Sequence, residues 1–247
     1  MSAGKLYTVP KHSRSQPILV AAQLEGLNLE SVNVQMPTDA AYRKKFPLGR
    51  IPAYENGEFL LTESVAIANY VAGLNNKAGL LGKSKEDQAL VQQFASWANM
   101  HLLVALGGWV RPLAGLDSYN KPAVEASKAK TLTELAYLEQ ILQTRTFLVG
   151  DRITIADLFT VAALIRGFEF VLDAEFRKSH VNVTRYFNTV VNQEAYNTVL
   201  GGVAPVQIEE CIKYTPPKKE AKPAAAPKAE APKPAAAAPA GDDEAAA

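Results

Sequence analysis

Cysteine is nearly absent from this sequence, since Cys211 is the only one among 247 residues. A single cysteine excludes an internal disulfide framework and a four-cysteine zinc site. Histidine is also scarce, and His12, His101 and His180 are scattered along the chain. The sequence therefore indicates neither a metal site nor a Cys-His nucleophile pair.

Long apolar runs and an excess of charge are missing as well. Charge or glycine interrupts the apolar runs well short of the roughly 18 residues that a membrane span needs. The 26 basic and 25 acidic residues leave a net charge of +1, so no overall field attracts nucleic acid or an anionic membrane. The start, "MSAGKLYTVPKHSRS", contains no apolar signal segment. We therefore expect a cytoplasmic protein that binds neither nucleic acid nor membranes directly.

The last segment of the chain has a composition of its own. "PPKKEAKPAAAPKAEAPKPAAAAPAGDDEAAA" contains 14 alanines and seven prolines and lacks aromatic and branched apolar residues. Its five lysines and five acidic residues cancel, which distinguishes it from a basic nucleic-acid arm. We predict a disordered Lys/Pro/Ala-rich linker over residues 215–247, and we expect the natural chain to continue into another module.

The rest of the chain changes character near residues 75–88, "NNKAGLLGKSKEDQ". Before this stretch we predict strands at residues 5–9 and 31–34 and a helix at residues 15–24. After it, amphipathic patterns predict four helices, at residues 84–105, 121–143, 154–170 and 183–191. We place one domain at residues 1–82 and an all-helical one at residues 83–214.

Two details of the helical part are explicit predictions. Leu90, Phe94, Trp97 and His101 recur at steps of three or four residues, which predicts one buried helix face. The pair Gly107-Gly108 predicts that the helix breaks there.

The stretch "PLGRIPAYENGEFLLTES", residues 47–64, is dense in turn signals. Asn56-Gly57 predicts a type I′ turn between two antiparallel strands. Pro52 fits the start of the first strand, where no ladder donor is needed. On local grounds an ordinary trans bond precedes Pro52, and a cis bond is the alternative. A helix is predicted to begin within "TESVAIANYV".

A peptide site follows if this bend exposes the main chain. With the backbone of Ile51 presented beside a cis Pro52, an extended peptide can pair with it. Ser64 at the helix start could hold the terminal carboxylate of that peptide, and Glu63 could bind its ammonium group. The simpler alternative is that Glu63 and Ser64 only cap the helix.

A second motif, "LVGDRITIADLFTV" at residues 148–161, combines the signals of a helix start. Thr154 is placed to cap the helix, and Asp157 can accept a hydrogen bond from the cap backbone. This is a folding device, so it indicates a fold rather than a chemistry.

These features together resemble the glutathione transferase family. The resemblance covers about residues 4–212, and it rests on the mixed start, Ile-Pro before the hairpin, the Glu63-Ser64 pair, the helical second part and the motif at residues 148–161. It implies a thioredoxin-like α/β N-terminal domain followed by an all-α C-terminal domain. It also implies a glutathione site formed by Ile51, Pro52, Glu63 and Ser64.

The resemblance raises the question of glutathione chemistry, because a transferase lowers the pKa of the glutathione thiol with a nearby hydroxyl. Ser13 is the best-placed candidate, and Tyr7 is the alternative hydroxyl. Ser15 could instead cap the first helix. His12 and Arg14 could supply positive charge to a thiolate, or they are two solvated loop residues. No cofactor is required by this interpretation, although the site could hold glutathione.

Longer matches narrow the resemblance. "LYTVP", "KFPLGRIPAYE", "ESVAIANYV", "QTRTFLVGDRITIADL" and the Lys/Pro/Ala-rich tail are together similar to the gamma-subunit family of eukaryotic translation elongation factor 1. This implies a structural subunit that scaffolds the beta or alpha exchange subunits of a nucleotide-exchange complex, with transferase activity secondary or lost. A homodimer is a further option. Two alternatives stay open: an active glutathione transferase that conjugates electrophiles, and an interaction domain of an aminoacyl-tRNA synthetase assembly.

Overall fold

Strands and helices alternate at the start of the chain, as predicted. The structure is a computed structural model, and residues 2–215 are the ones it describes. Its strands are β1 (Ser2–Thr8), β2 (Asn28–Asn33), β3 (Ala53–Asn56) and β4 (Phe59–Thr62). The helices among and after them are α1 (Gln16–Leu24), α2 (Ala40–Lys45) and α3 (Ser64–Asn75).

The strands form one mixed sheet in the order β2-β1-β3-β4. β1 runs parallel to β2 and antiparallel to β3, and β3 and β4 form the predicted hairpin with Asn56 opposite Phe59. The turn residues are therefore Gly57 and Glu58, so the prediction of an Asn56-Gly57 turn is wrong by one position. Of these two residues Gly57 alone has a positive φ, 61°, as in a type II′ turn.

The two faces of the sheet are covered by different helices. Neighbouring residues of a strand point to opposite faces. Leu6 and Tyr54 join the main core together with buried residues of α1 and α3. Tyr7 and Ala53 pack instead with Tyr42 of α2. This arrangement is the predicted thioredoxin-like α/β layout.

All regular elements between α3 and residue 215 are helical. They are α4 (Lys85–Trp97), a π-helical turn (Ala98–Leu102), α5 (Leu103–Leu113), α6 (Lys121–Leu142), α7 (Ile155–Phe170), α8 (Ala174–Ser179), α9 (Val181–Val191) and α10 (Glu194–Val199). Together with the sheet-bearing part, they form the two-part architecture of the glutathione transferase fold.

The predicted helix break at Gly107-Gly108 is wrong, because both glycines lie inside α5. Glycine lowers helix stability by only about 1 kcal/mol relative to alanine, which packing can offset. At Gly108 the packing is close: a Cβ atom there would lie 2.5 Å from the hydroxyl oxygen of Ser127 in α6. The missing side chain lets α5 and α6 approach each other.

The buried face of α4 also differs from the prediction. Phe94 is buried as expected, but Leu90 and His101 are exposed. The buried stripe instead contains Val91, Phe94, Ala95, Ala98 and Leu102. The buried stripe keeps helical spacing but is shifted by one residue relative to the predicted one. The π-helical turn also changes the direction in which the side chains after Trp97 point.

α7 lies in the middle of the helical part. It packs against α1, α4, α5 and α9, and 13 of its 16 residues are buried. The predicted device at its start is present, since the Asp157 carboxylate accepts a hydrogen bond of 2.8 Å from the backbone N–H of Thr154. A helix that is buried on every side holds the surrounding helices together.

The sheet-bearing and helical parts share one hydrophobic core, and α1 contacts both α7 and α10. The division at residues 82 and 83 stays a prediction. The predicted linker, residues 215–247, lies outside the described residues from residue 216 onward. Each helix within residues 2–215 is too short or too polar to cross a lipid bilayer.

Candidate functional site

The chain bends sharply just before β3. The peptide bond between Ile51 and Pro52 is cis, and Pro52 is buried directly ahead of the first strand residue. The preceding loop is anchored by the Tyr42 hydroxyl, which donates a hydrogen bond of 2.7 Å to the carbonyl oxygen of Arg50. Burial raises the pKa of Tyr42 to about 12, so its hydroxyl stays protonated and keeps donating at neutral pH.

The start of α3 has an unusual backbone. Glu63 is the N-cap residue and has a φ of 70°, a region that residues with a side chain rarely adopt. Its side chain makes no capping hydrogen bond, so a simple capping role does not account for Glu63. Ser64 opens the helix and is only 3% exposed, and its hydroxyl makes no hydrogen bond to any residue within 2–215.

The structure brings the four predicted clamp residues together. Ile51, Pro52, Glu63 and Ser64 line one cavity of about 790 Å³, which we call the clamp groove. A cis proline and a helix start therefore face the same space, as a site for a short extended peptide requires. That these residues hold glutathione stays a prediction.

The opposite side of the clamp groove comes from other parts of the chain. Arg14, from the loop before α1, and Asn99, from the π-helical turn, both line it. The Nε atom of Arg14 donates to Oδ1 of Asn99 at 2.9 Å. Burial lowers the pKa of Arg14, and the nearby negative charge of Glu63 opposes that shift. The groove therefore contains a fixed guanidinium group close to an acidic side chain.

Ser13 lies beside this groove and not within it. Ser13 lines a neighbouring cavity of about 500 Å³ that is bounded by α5 and α7. Arg14 lines both cavities. The structure thus places the predicted thiolate-stabilising hydroxyl next to the clamp residues but in a separate space, and its catalytic role stays a prediction.

The two other hydroxyls considered above are engaged elsewhere. Ser15 is buried at the N-cap position of α1 without capping it through its side chain; it accepts a hydrogen bond of 2.6 Å from the Thr8 hydroxyl. The Tyr7 hydroxyl donates a hydrogen bond to Glu55, and the ring packs edge-on against Tyr42. Tyr7 therefore faces α2 and lies away from the clamp groove.

Of the two residues predicted to supply positive charge near a thiolate, Arg14 and His12, only Arg14 can do so. Burial lowers the pKa of His12 to about 4, and the positive charge of Arg14 adds to the effect. The imidazole is therefore neutral at pH 7 and cannot stabilise a thiolate by charge. Among the described residues, no group of three or more His, Cys, Asp or Glu side chains could hold a metal ion.

Four large apolar side chains around the clamp groove were not predicted from the sequence. They are exposed to solvent and line the groove: Met36, Leu48, Leu60 and Met100. They come from three loops or turns and one edge strand, so no periodic pattern in the sequence marks them. Their presence adds exposed apolar surface to a groove that also holds Arg14, Glu63 and Ser64.

Comparisons with known proteins agree with this geometry. Residues 2–73 match the family model of the glutathione S-transferase N-terminal domain. Residues 100–194 match the model of the C-terminal domain of the same family. The two matches lie on the sheet-bearing part and on the helical part.

Several similar curated proteins are elongation factor 1-gamma proteins. Elongation factor 1-gamma-A of Xenopus laevis is 40% identical, over 82% of this chain and 48% of that protein. Elongation factor 1-gamma of Danio rerio is also 40% identical, over 82% and 47%. The Homo sapiens protein is 36% identical over the same shares. The chain thus spans about half the length of the curated relatives it matches.

Solved structures show the same fold. The GST-like domain of elongation factor 1-gamma from Saccharomyces cerevisiae has a TM-score of 0.75 and 26% identity, covering 87% of this chain and 100% of that domain. Poplar glutathione transferase F1 has a TM-score of 0.70 at 22% identity, covering 81% of this chain and 98% of that protein. Because both domain models of the family match, the chain belongs to the glutathione S-transferase family, and it is a homologue of elongation factor 1-gamma over its transferase-like region.

Proposed function

We propose that this chain is a structural subunit of the elongation factor 1 nucleotide-exchange complex and scaffolds the beta or alpha exchange subunits during translation elongation. The observation that carries the proposal is the 40% identity to elongation factor 1-gamma over 82% of the chain. The GST-like domain of the yeast protein, which the chain covers completely, supports the same assignment.

The geometry of the clamp groove favours a binding role over catalysis. Conjugation requires a hydroxyl or a positive charge directed at the sulfur of bound glutathione. Ser13 lines the neighbouring cavity. Ser15 is buried and hydrogen-bonded to Thr8, and the Tyr7 hydroxyl is hydrogen-bonded to Glu55. Arg14 offers charge, but its guanidinium is already held by Asn99. A groove of this kind can hold a ligand without activating it efficiently.

Affinity purification from the native cytosol tests the scaffold role. We expect the tagged chain to bring down a beta or alpha exchange subunit in fixed stoichiometry, because a scaffold stays bound to the subunit that it holds. A stand-alone glutathione transferase of the same fold, carrying the same tag, is the control and should bring down neither. If no translation factor accompanies the tagged chain, the proposal fails.

An active glutathione transferase is the second candidate. Its support is Ser64, a residue only 3% exposed that lines the same groove as the cis proline and whose hydroxyl makes no hydrogen bond to the described residues. Such a hydroxyl at a helix start suits a peptide carboxylate.

Two assays test this candidate. This candidate predicts retention on immobilised glutathione that is lost in Ser64→Ala, and turnover of a chlorinated nitrobenzene that falls about 100-fold in Ser13→Ala. Ser118→Ala, an exposed serine in the loop before α6, is the matched control. Undetectable turnover together with no retention would reject the candidate.

A further inference from the structure

A second groove lies apart from the clamp groove. A cavity of about 480 Å³ is bounded by residues 8–12, the first turn of α1, the end of β2, three residues of α7 and residues 199–206. A smaller cavity of about 240 Å³ continues it, and the two share Leu19, Ser31 and Val199. We call the two together the β2 groove. As far as the described residues show, no residue lines both the β2 groove and the clamp groove.

Gln16 points to a missing partner in the β2 groove. Its side chain lines the larger cavity and is only 6% exposed. Its amide oxygen Oε1 is buried and accepts no hydrogen bond, and it is the one such buried side-chain atom within residues 2–215. Because an unpaired buried acceptor costs stability, its retention is accounted for if a ligand supplies the donor.

β2, at the edge of the sheet, lines one side of the groove. β2 is an outer strand, and its only partner in the described sheet is β1. One row of its backbone N–H and C=O groups therefore faces outward. Leu29, Ser31 and Asn33 alternate along β2 and so share a face, and all three line the groove. At about 3.3 Å per residue, the strand offers roughly 20 Å of open edge.

We propose that the β2 groove binds an extended segment of a partner protein, which adds a strand to the free edge of β2 and donates a hydrogen bond to Gln16. An edge strand satisfies repeated main-chain groups at strand spacing, which a small molecule cannot do. Alternate side chains of the segment enter the groove. They are apolar beside Leu29 and carry a hydrogen-bond donor beside Gln16.

This inference rests on the proposed scaffold role, since it names a surface through which a partner is held. It adds that the partner surface differs from the clamp groove. Glutathione and the partner segment therefore do not compete.

Selection from random seven-residue peptides displayed on phage tests the proposal with the full chain as target. We expect enriched peptides with apolar residues at alternate positions and a donor side chain at one end. Their binding should fall at least tenfold in Gln16→Leu and in Ser31→Arg, which fills the groove from an exposed position. Gln93→Leu, which removes an exposed amide outside the groove, should bind as the wild type does. Excess glutathione should not displace the peptides.

Thermal unfolding of the free chain gives a second readout. Replacing Gln16 by leucine removes an unpaired acceptor, so we expect the unfolding midpoint to rise by about 2 to 4 °C. A purely structural glutamine would instead give a lower midpoint. No enrichment, or peptides that bind both groove variants as well as the wild type, would overturn the proposal. Because the selection uses no translation factor, it can fail or succeed independently of the affinity purification.

Discussion

At the scale of single residues, Asp157 carries an unusual number of hydrogen bonds. Its carboxylate accepts from the backbone N–H groups of Leu148 and Thr154 and from the hydroxyls of Thr154 and Tyr186. Burial raises the pKa of this carboxyl group, and the donors oppose the shift. The side chain thereby ties the start of α7 to the preceding loop and to α9.

Removing this carboxylate should unfold the chain more easily. We expect Asp157→Ala to lower the free energy of unfolding by about 3 kcal/mol or more, because several buried donors lose their acceptor. Urea unfolding followed by circular dichroism measures the loss. Asp151→Ala is the control, because Asp151 forms an exposed ion pair with Lys83 and its loss should change the stability far less than the loss of Asp157 does. Equal losses in the two variants would contradict the prediction.

The buried imidazole of His12 should make the free energy of unfolding depend on pH. Burial lowers its pKa in the folded chain to about 4, while the unfolded chain binds a proton near the ordinary value of 6.5. Stability from this group is therefore present above pH 6.5 and is lost as the pH falls toward 4. Between pH 7 and 4.5 the loss amounts to about 2 to 3 kcal/mol.

The variant His12→Asn should lose correspondingly less stability over the same pH range. Urea midpoints at pH 7 and 4.5 measure the difference, which isolates His12 from the carboxylates that titrate in every variant. His101→Asn, at an exposed position, should follow the wild type. If all three proteins lose the same stability between pH 7 and 4.5, burial does not lower the pKa of His12 in the folded chain, and the prediction is wrong.

At the scale of elements, two adjacent glycines of α5 should behave oppositely. Gly108 faces Ser127 of α6 at a distance that leaves no room for a Cβ atom, whereas a Cβ at Gly107 would meet only an Arg111 side-chain atom at 3.8 Å. We expect Gly107→Ala to stabilise the fold by about 0.5 to 1 kcal/mol through helix propensity. Gly108→Ala should destabilise it by about 1 to 2 kcal/mol through overpacking.

A double variant tests the cause. With Ser127→Gly in place, the cost of Gly108→Ala should largely disappear, and the coupling is read from a double-mutant cycle in urea. A cost that persists unchanged in the double variant would show that α5 and α6 do not depend on this close approach.

Elements with strong periodicity could be predicted from the sequence, and short ones could not. The long helices α6 and α7 appear within a residue or so of their predicted positions. Three six-residue helices, α2, α8 and α10, were missed because they are too short to show a period. An aspartate cap marks the first two: Asp39 accepts a hydrogen bond from the backbone of Tyr42, and Asp173 from that of Phe176.

At the scale of the whole molecule, the predictable part of the site is the part that is local in sequence. Ile51, Pro52, Glu63 and Ser64 lie within one short stretch, so their turn and helix signals could be combined before the fold was known. Arg14 and Asn99 reach the same groove only through tertiary packing.

The separation of Ser13 from the clamp groove also depends on tertiary structure. The loop before α1 lies between two cavities: Arg14 lines both of them, and Ser13 lines only the one bounded by α5 and α7. No spacing of residues in the sequence predicts which of the two cavities Ser13 lines. The assignment to translation likewise came from the family resemblance and not from any pattern of charge or periodicity.

The most direct measurement of the central claim is the mass of the purified native complex by size-exclusion chromatography with light scattering. The account predicts that the chain elutes together with an exchange subunit at a fixed ratio, and that adding glutathione leaves the mass unchanged. A chain that elutes only with itself, as a monomer or homodimer, and that conjugates glutathione to an electrophile would contradict the account.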